Sequence, residues 1–192
     1  APYKDVPTNS TFAGYIAYCQ KEGIISGYAD GTFKSGNTLT GYAFMKMLLG
    51  ALGYKAEQEG YTGPNWSINV AKRAMNIGLK DGLKGDFNGV KAVTREEACL
   101  YAFNMLQADM VEYEKNSTVI VGNITIKDTS DAKEVVNNVR ADNTIKDDGK
   151  MQFAEKYFTD LKLDEGSDDF GRPAVTWINN KTEVGTYVDY TT

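Results

Sequence analysis

"GYADGTFKSGNTLTGYAF", residues 27–44, runs from a glycine-rich loop directly into an apolar, helix-like stretch. Glycines in the loop permit positive φ and close backbone approach. After it, Thr40 precedes Ala43, Phe44, Met47, Leu48 and Ala51, an apolar stripe at helical spacing that Gly53 ends. Upstream, Phe12, Ile16 and Cys19 follow the same spacing and stop at Gly23. The stretch is therefore the middle of a helix–loop–helix.

That unit occurs twice. "YCQKEGIISGYADGTFKSGNTLTGYAFMKML" (residues 18–48) is matched by "RAMNIGLKDGLKGDFNGVKAVTREEACLYA" (residues 73–102). Gly23, Ile24 and Gly27 fall on Gly78, Leu79 and Gly82, Phe33 on Phe87, Leu39 on Val93 and Thr40 on Thr94. The offset is 55 residues before the loop and 54 after it, so a single deletion relates the two. Val70, Ala71 and Ala74 lead to Gly78, and Thr94 starts a helix with Ala98, Tyr101, Ala102 and Met105 on one face. Phe12 and Trp66 open the two units, and Phe33 and Phe87 are expected to pin each loop to the core. Thr94-Arg95-Glu96-Glu97 fits a capping box, with Thr94 at N-cap and Glu97 at N3. Unit one has Ala43 where Glu97 would stand and keeps half of that device.

The bulk numbers narrow the field. The 192 residues are 42% hydrophobic and 24% charged, an ordinary globular composition for one domain or two small ones. No apolar run reaches the roughly 18 residues that span a bilayer. The chain starts at Ala1 on polar sequence, as expected of a secreted protein whose signal peptide has been removed. It has no histidine, which excludes Ser-His and Cys-His nucleophile pairs and the commonest zinc ligand. Cys19 and Cys99 each sit in a helix-like pattern and are expected to be buried free thiols, a disulfide between them being the alternative. Residues 1–115 carry 12 basic and 12 acidic side chains, and residues 116–192 carry 9 and 14, so the whole net charge of −5 lies in the last third. With no basic stripe to neutralise phosphates, nucleic acid is not an expected partner. The break near 115 divides the chain into units at 1–60, 61–115 and 116–192.

The repeated unit resembles the S-layer homology repeat. The resemblance rests on "GIISGYADGTF" at residues 23–33, "YKDVP" at 3–7 and "VTREEA" at 93–98, and covers roughly residues 2–110. It implies repeated helix–loop–helix units, often three in a pseudo-trimer, that anchor an exported bacterial protein non-covalently to secondary cell-wall polysaccharide, often pyruvylated. It also implies a secreted, cell-wall location and a ligand groove between units; no cofactor or metal is expected, since the sequence has no histidine and no metal-ligand spacing. Carried onto this sequence, the groove residues are Arg95, Thr94, Glu97, Asp5, Gly27, Tyr28, Asp30, Gly31, Gly82 and Trp66. Arg95, at the first position of its helix, is the leading candidate: a guanidinium there takes a carboxylate or phosphate through paired hydrogen bonds beside a positive dipole end. A solvated surface arginine is the alternative. Glu97 reads first as a cap, Asp5 and Asp30 as partners of their own backbone, and Trp66 as a core aromatic, with sugar contact as the second role of each. Unit one departs by placing Gly41-Tyr42 where the arginine would be, and unit two by shortening the loop to "GLKGDF".

Residues 116–192 read as a small β-rich or α+β module, which makes the chain α+β overall beside its mainly α first 115 residues. "STVIVGNITIKD" (117–128) reads as a strand bent at Gly122, "SDAKEVVNNV" (130–139) as a short helix, and "MQFAEKYF" (151–158) as either helix or strand. "AVTWI", "NNK" and "TEVGTYVDY" read as a β-hairpin turning at Asn179-Asn180. The acidic "DEGSDDFG" (164–171) lacks EF-hand spacing and reads as a solvated loop ahead of a calcium site.

Three functions are weighed: a glycan-binding anchor, a structural surface subunit that associates with copies of itself, and a two-carboxylate glycosidase. The first leads, the second is its alternative, and the third is set aside.

Overall fold

The computed structural model describes residues 2–114, 118–121, 124–127 and 131–188. Four helices occupy the repeats: α1 (Ala13–Lys21), α2 (Gly41–Ala51), α3 (Trp66–Asn76) and α4 (Arg95–Leu106). The two-residue strand β1 (Val111–Glu112), the strands β2 (Thr118–Val121) and β3 (Ile124–Lys127), and β4 (Lys133–Glu134) follow. Then come α5 (Phe153–Tyr157), β5 (Leu161–Ser167), β6 (Pro173–Asn179) and β7 (Thr182–Val188). The described residues are α+β.

The chain forms two compact units, residues 1–105 with 111–133, and residues 106–110 with 134–192. In the first, the helix ends lie where local chemistry puts them. Thr40 caps α2 by accepting from Ala43 N at 3.3 Å. Gly23, Gly53 and Gly78 follow the ends of α1, α2 and α3 at φ 73°, 107° and 74°, the left-handed C′ geometry. Met45, Leu48, Leu49 and Leu52 of α2 and its end are buried, as are Val70, Ala74, Leu79, Tyr101 and Met105. Each of the Val, Leu and Met side chains among them contributes about 1.5–3 kcal/mol by leaving water. Tyr3, Val6 and Ala13 form a second cluster, against which Ile16, Ile25 and Phe33 pack. Phe33 thus pins its loop as expected, stacked on Tyr3 at 5.5 Å.

Two expectations for the strand region are corrected. Residues 118–121 and 124–127 form an antiparallel pair of strands, Thr118 opposite Lys127 through Val121 opposite Ile124, rather than one strand, and the expected bend at Gly122 lies outside the described residues. Of the expected helix over 130–139, Ser130 lies outside the described residues and the rest is extended. Its backbone is claimed by strand partners: Val135 N donates to Met110 O (2.9 Å), Met151 N to Val135 O (2.9 Å), and Asn137 N to Gly149 O (2.8 Å). These bonds to distant parts of the chain satisfy the groups a helix would have paired internally.

The second unit is built on the sheet β5-β6-β7. Leu163 lies opposite Trp177, and Trp177 is buried with Ile145 and Ala154. The ambiguous "MQFAEKYF" is the helix α5, started by a capping box of Gln152 and Glu155. The hairpin is as expected but turns one residue later, with Asn180 and Lys181 at φ 48° and 65°. Both signs are those of a type I′ turn, whose twist matches the strands. Asp168 in the acidic stretch accepts from Phe170 N, Arg172 N and Arg172 Nε at 2.8–2.9 Å. That carboxylate closes the β5–β6 turn.

Candidate functional site

The two repeats meet along a short backbone seam just ahead of α2 and α4. Thr40 and Ala92 form an antiparallel bridge, and Val93 N donates to Leu39 O at 2.9 Å. Gly41 N donates to Lys91 O (3.0 Å) and Tyr42 N to Gly89 O (2.9 Å), so the first donors of α2 are spent on the loop of the second repeat. Tyr42 lies edge-on to Phe87 (5.7 Å) and Trp66 (6.4 Å), and Phe87 meets Tyr101 at 6.1 Å. A Cβ on Gly89 would sit 2.3 Å from the Tyr42 ring. Where the second repeat carries Arg95 the first carries Gly41, and the next residue, Tyr42, is an aromatic plug. Trp66 belongs to this packed cluster, with Lys46 Nζ 5.6 Å from its ring centroid.

The start of α4 is built differently. Thr94 Oγ1 accepts from Glu97 N (3.1 Å), and Glu97 Oε2 accepts from Thr94 N (2.8 Å), the expected reciprocal cap. The N–H groups of Arg95 and Glu96 have no acceptor among the described residues, and Arg95 is exposed with no ion-pair partner among them. An anion at this helix start would meet free N–H donors and a guanidinium whose fork is uncommitted.

The loop candidates gather in the first repeat. Asp5 accepts from Phe33 N and Lys34 N at 2.7 Å each, and these two bonds hold its carboxyl below the ordinary carboxylate range. Asp30 accepts from Thr32 Oγ1 and Thr32 N and pairs with Lys34 at 3.2 Å, the threonine hydroxyl being the main cause of its lowered pKa. Both acids are thus backbone clamps. Gly27, at φ 64°, lies where a Cβ would be 2.2 Å from the Tyr3 ring, so glycine is needed on two counts. Gly31 lies against Lys4, and Gly82 of the second loop lies beside Leu100 of α4. Tyr28 is half exposed, with Lys34 Nζ 4.3 Å above its ring. Among the described residues no hydrogen bond or ion pair joins the Asp5–Asp30 group to Arg95.

Both cysteines are free. Cys19 is half-buried, but Cys99 is exposed, which corrects the expectation of two buried thiols. Its neighbours Tyr101 and Met105 take the inward face of α4 and turn position 99 outward.

Sequence reasoning missed one polar network. Glu59 accepts from Arg73 Nη2 at 3.0 Å and from Tyr113 Oη at 2.8 Å, while Tyr113 Oη accepts from Lys55 N at 3.2 Å. Its signal was present as Asn69, Lys72, Arg73 and Asn76, a polar stripe at helical spacing on α3.

Comparison with known proteins bears on these features. Residues 2–41 match the family model of the S-layer homology domain. The chain is 27% identical over 154 residues to a "Cell surface protein" of Thermoanaerobacter kivui, covering 80% of this chain and 19% of that protein. It is 28% identical over 123 residues to a "Middle cell wall protein" of Brevibacillus brevis, covering 64% of this chain and 11% of that one. The chain thus spans a fifth or less of these relatives' length. No solved structure matches it.

Proposed function

We propose, from the S-layer homology domain at residues 2–41, that this chain anchors an exported bacterial surface protein to its cell wall. The anchor is non-covalent, binds an anionic secondary wall polysaccharide, and works by binding rather than by catalysis. The observation that carries the reading is the open start of α4. Arg95 is exposed and unpaired among the described residues, and two first-turn N–H groups beside it lack acceptors. A carboxylate on the glycan, such as a pyruvate ketal, supplies the charge this site lacks. Thr94 and Glu97 hold the helix start in place, and Asp5 with Asp30 stiffens the loop of the first repeat. The names of the two relatives, a surface protein and a wall protein, agree with this location.

A second reading is favoured by Tyr42. Gly41 stands where the first repeat's arginine would be, and the ring of Tyr42 beside it packs on Trp66 and Phe87, which leaves that repeat better suited to packing than to anion binding. On this reading the chain is part of a surface subunit that associates with its own kind.

Sedimentation with purified bacterial wall sacculi separates the two. Co-pelleting that requires the secondary polysaccharide and falls several-fold in Arg95→Ala supports the anchor, since a charged hydrogen bond typically contributes about 1.5–3 kcal/mol. Failure of both proteins to pellet leaves the self-associating subunit as the reading.

A further inference from the structure

A cleft of about 710 Å3 opens in the second repeat, between α3 and the segment that follows α2. One wall is the polar stripe of α3: Asn69, Lys72, Arg73 and Asn76 stand at i, i+3, i+4 and i+7, while Val70 and Ala74 face the core. The other wall is Glu59 and Tyr61. Its volume lies within the ~300–1,000 Å3 typical of small-molecule sites.

The cleft's polar groups are preset. Glu59 has only 13% of its side chain exposed, and both its oxygens are engaged, one by Arg73 and one by Tyr113. Arg73 also lies 5.1 Å over the Tyr54 ring, so its guanidinium is fixed from two sides. Lys72 is exposed and has no ion-pair partner among the described residues. Against the single charge of Glu59, Lys72 and Arg73 leave the cleft one positive charge in excess. Tyr61 is 2% exposed, and its hydroxyl is closed off from solvent beside the Arg73 guanidinium. Burial, and after it the charge of Glu59, pushes that phenol up, so it remains a neutral donor. Asn69 binds Gly60 O at 3.0 Å through its Nδ2 and keeps its Oδ1 for a donor, and Asn76 is exposed.

We infer that this cleft is a saccharide site separate from Arg95, taking one carboxylated hexose. The carboxylate sits between Lys72 and the outer nitrogens of Arg73, and sugar hydroxyls reach Asn76 and Asn69. The inference rests on the wall-anchor reading only for the source of such a sugar, an acidic unit of the same polysaccharide.

The test is a titration of the full chain, followed by its 1H–15N amide spectrum, with sodium glucuronate, glucose and sodium acetate in separate arms. Saturable shifts at residues 69, 72, 73 and 76 with glucuronate alone are expected. Lys72→Ala, an exposed change that spares the Glu59–Arg73 pair, should weaken binding about tenfold, whereas Arg95→Ala should leave those shifts unchanged. No shifts, equal shifts with glucose or acetate, or an unaltered Lys72→Ala overturns the assignment. Shifts here without pelleting on sacculi would sink the anchor alone, and pelleting without shifts would sink this cleft alone.

Discussion

The ring of Tyr42 covers Gly89 so closely that a Cβ on the glycine would fall 2.3 Å from it. This one contact locks the first turn of α2 to the loop of the second repeat, beside the bonds from Gly41 N and Tyr42 N. Gly89→Ala should therefore cost about 1–3 kcal/mol by overpacking. In a Tyr42→Ala background the same change should cost close to nothing, because the obstructing ring is gone. Urea unfolding of the four proteins measures the coupling, and strictly additive losses would show that the ring is not what Gly89 accommodates.

The helical half was legible because its signals are local. Thr40, Thr94 with Glu97, and the glycines at 23, 53 and 78 act within one turn of where they stand, so helix ends follow from neighbours alone. The failures come from partners far along the chain. "SDAKEVVNNV" has helical propensity, but Met110 and Gly149 take its backbone, and no local pattern announces them. The hairpin turn was missed by one residue because asparagine favours positive φ, whereas Lys181 reaches φ 65° only under the register of β6 and β7. For the candidate site, the cap formed by Thr94 and Glu97 could be read directly. The Glu59–Tyr113 contact spans 54 residues and could not.

Acid should reveal the clamp at Asp5. Phe33 N and Lys34 N lower its pKa in the folded chain. A carboxylate depressed in this way contributes stability that is fully present above its unfolded value, near 3.9, and is lost as pH falls through the folded value. Between about pH 4 and pH 2, the melting temperature of Asp5→Asn should fall less steeply than that of the wild type. Asp30, lowered as well, keeps some slope in the variant. Parallel curves would mean that the Asp5 bonds do not persist in solution.

Stability and binding should separate at the start of α4. Thr94→Ala removes the N-cap acceptor and should cost about 1 kcal/mol. Arg95→Ala, at an exposed position, should change unfolding free energy by no more than about 0.5 kcal/mol while reducing retention on wall sacculi. If Arg95→Ala unfolds as readily as Thr94→Ala, the arginine is holding the helix and its proposed role fails.

The two thiols should differ in rate. Cys99 is exposed and Cys19 half-buried, so a chromogenic disulfide reagent should titrate two thiols per native chain, Cys99 first. Replacing Cys99 by serine should leave only the slow phase. A chain with no titratable thiol would carry the Cys19–Cys99 bridge instead.

The second unit depends on one buried acid. Glu155 is 4% exposed and accepts from Ile145 N (3.0 Å), Lys146 N (3.3 Å), Gln152 N (3.3 Å) and Asn137 Nδ2 (3.3 Å). Removing it strands several donors at once, and each buried unpaired donor costs about 1–3 kcal/mol. Glu155→Ala should therefore destabilise this unit by at least about 2 kcal/mol, with Glu155→Gln falling between because one acceptor oxygen survives. The chain has two tryptophans, Trp66 in the first unit and buried Trp177 in the second. In a Trp66→Phe background, emission reports Trp177 alone, so its shift to the red on denaturant unfolding follows this unit. A midpoint for Glu155→Ala equal to that of its parent would mean that water replaces the four bonds, and that the burial of Ile145, Ala154 and Trp177 suffices without them.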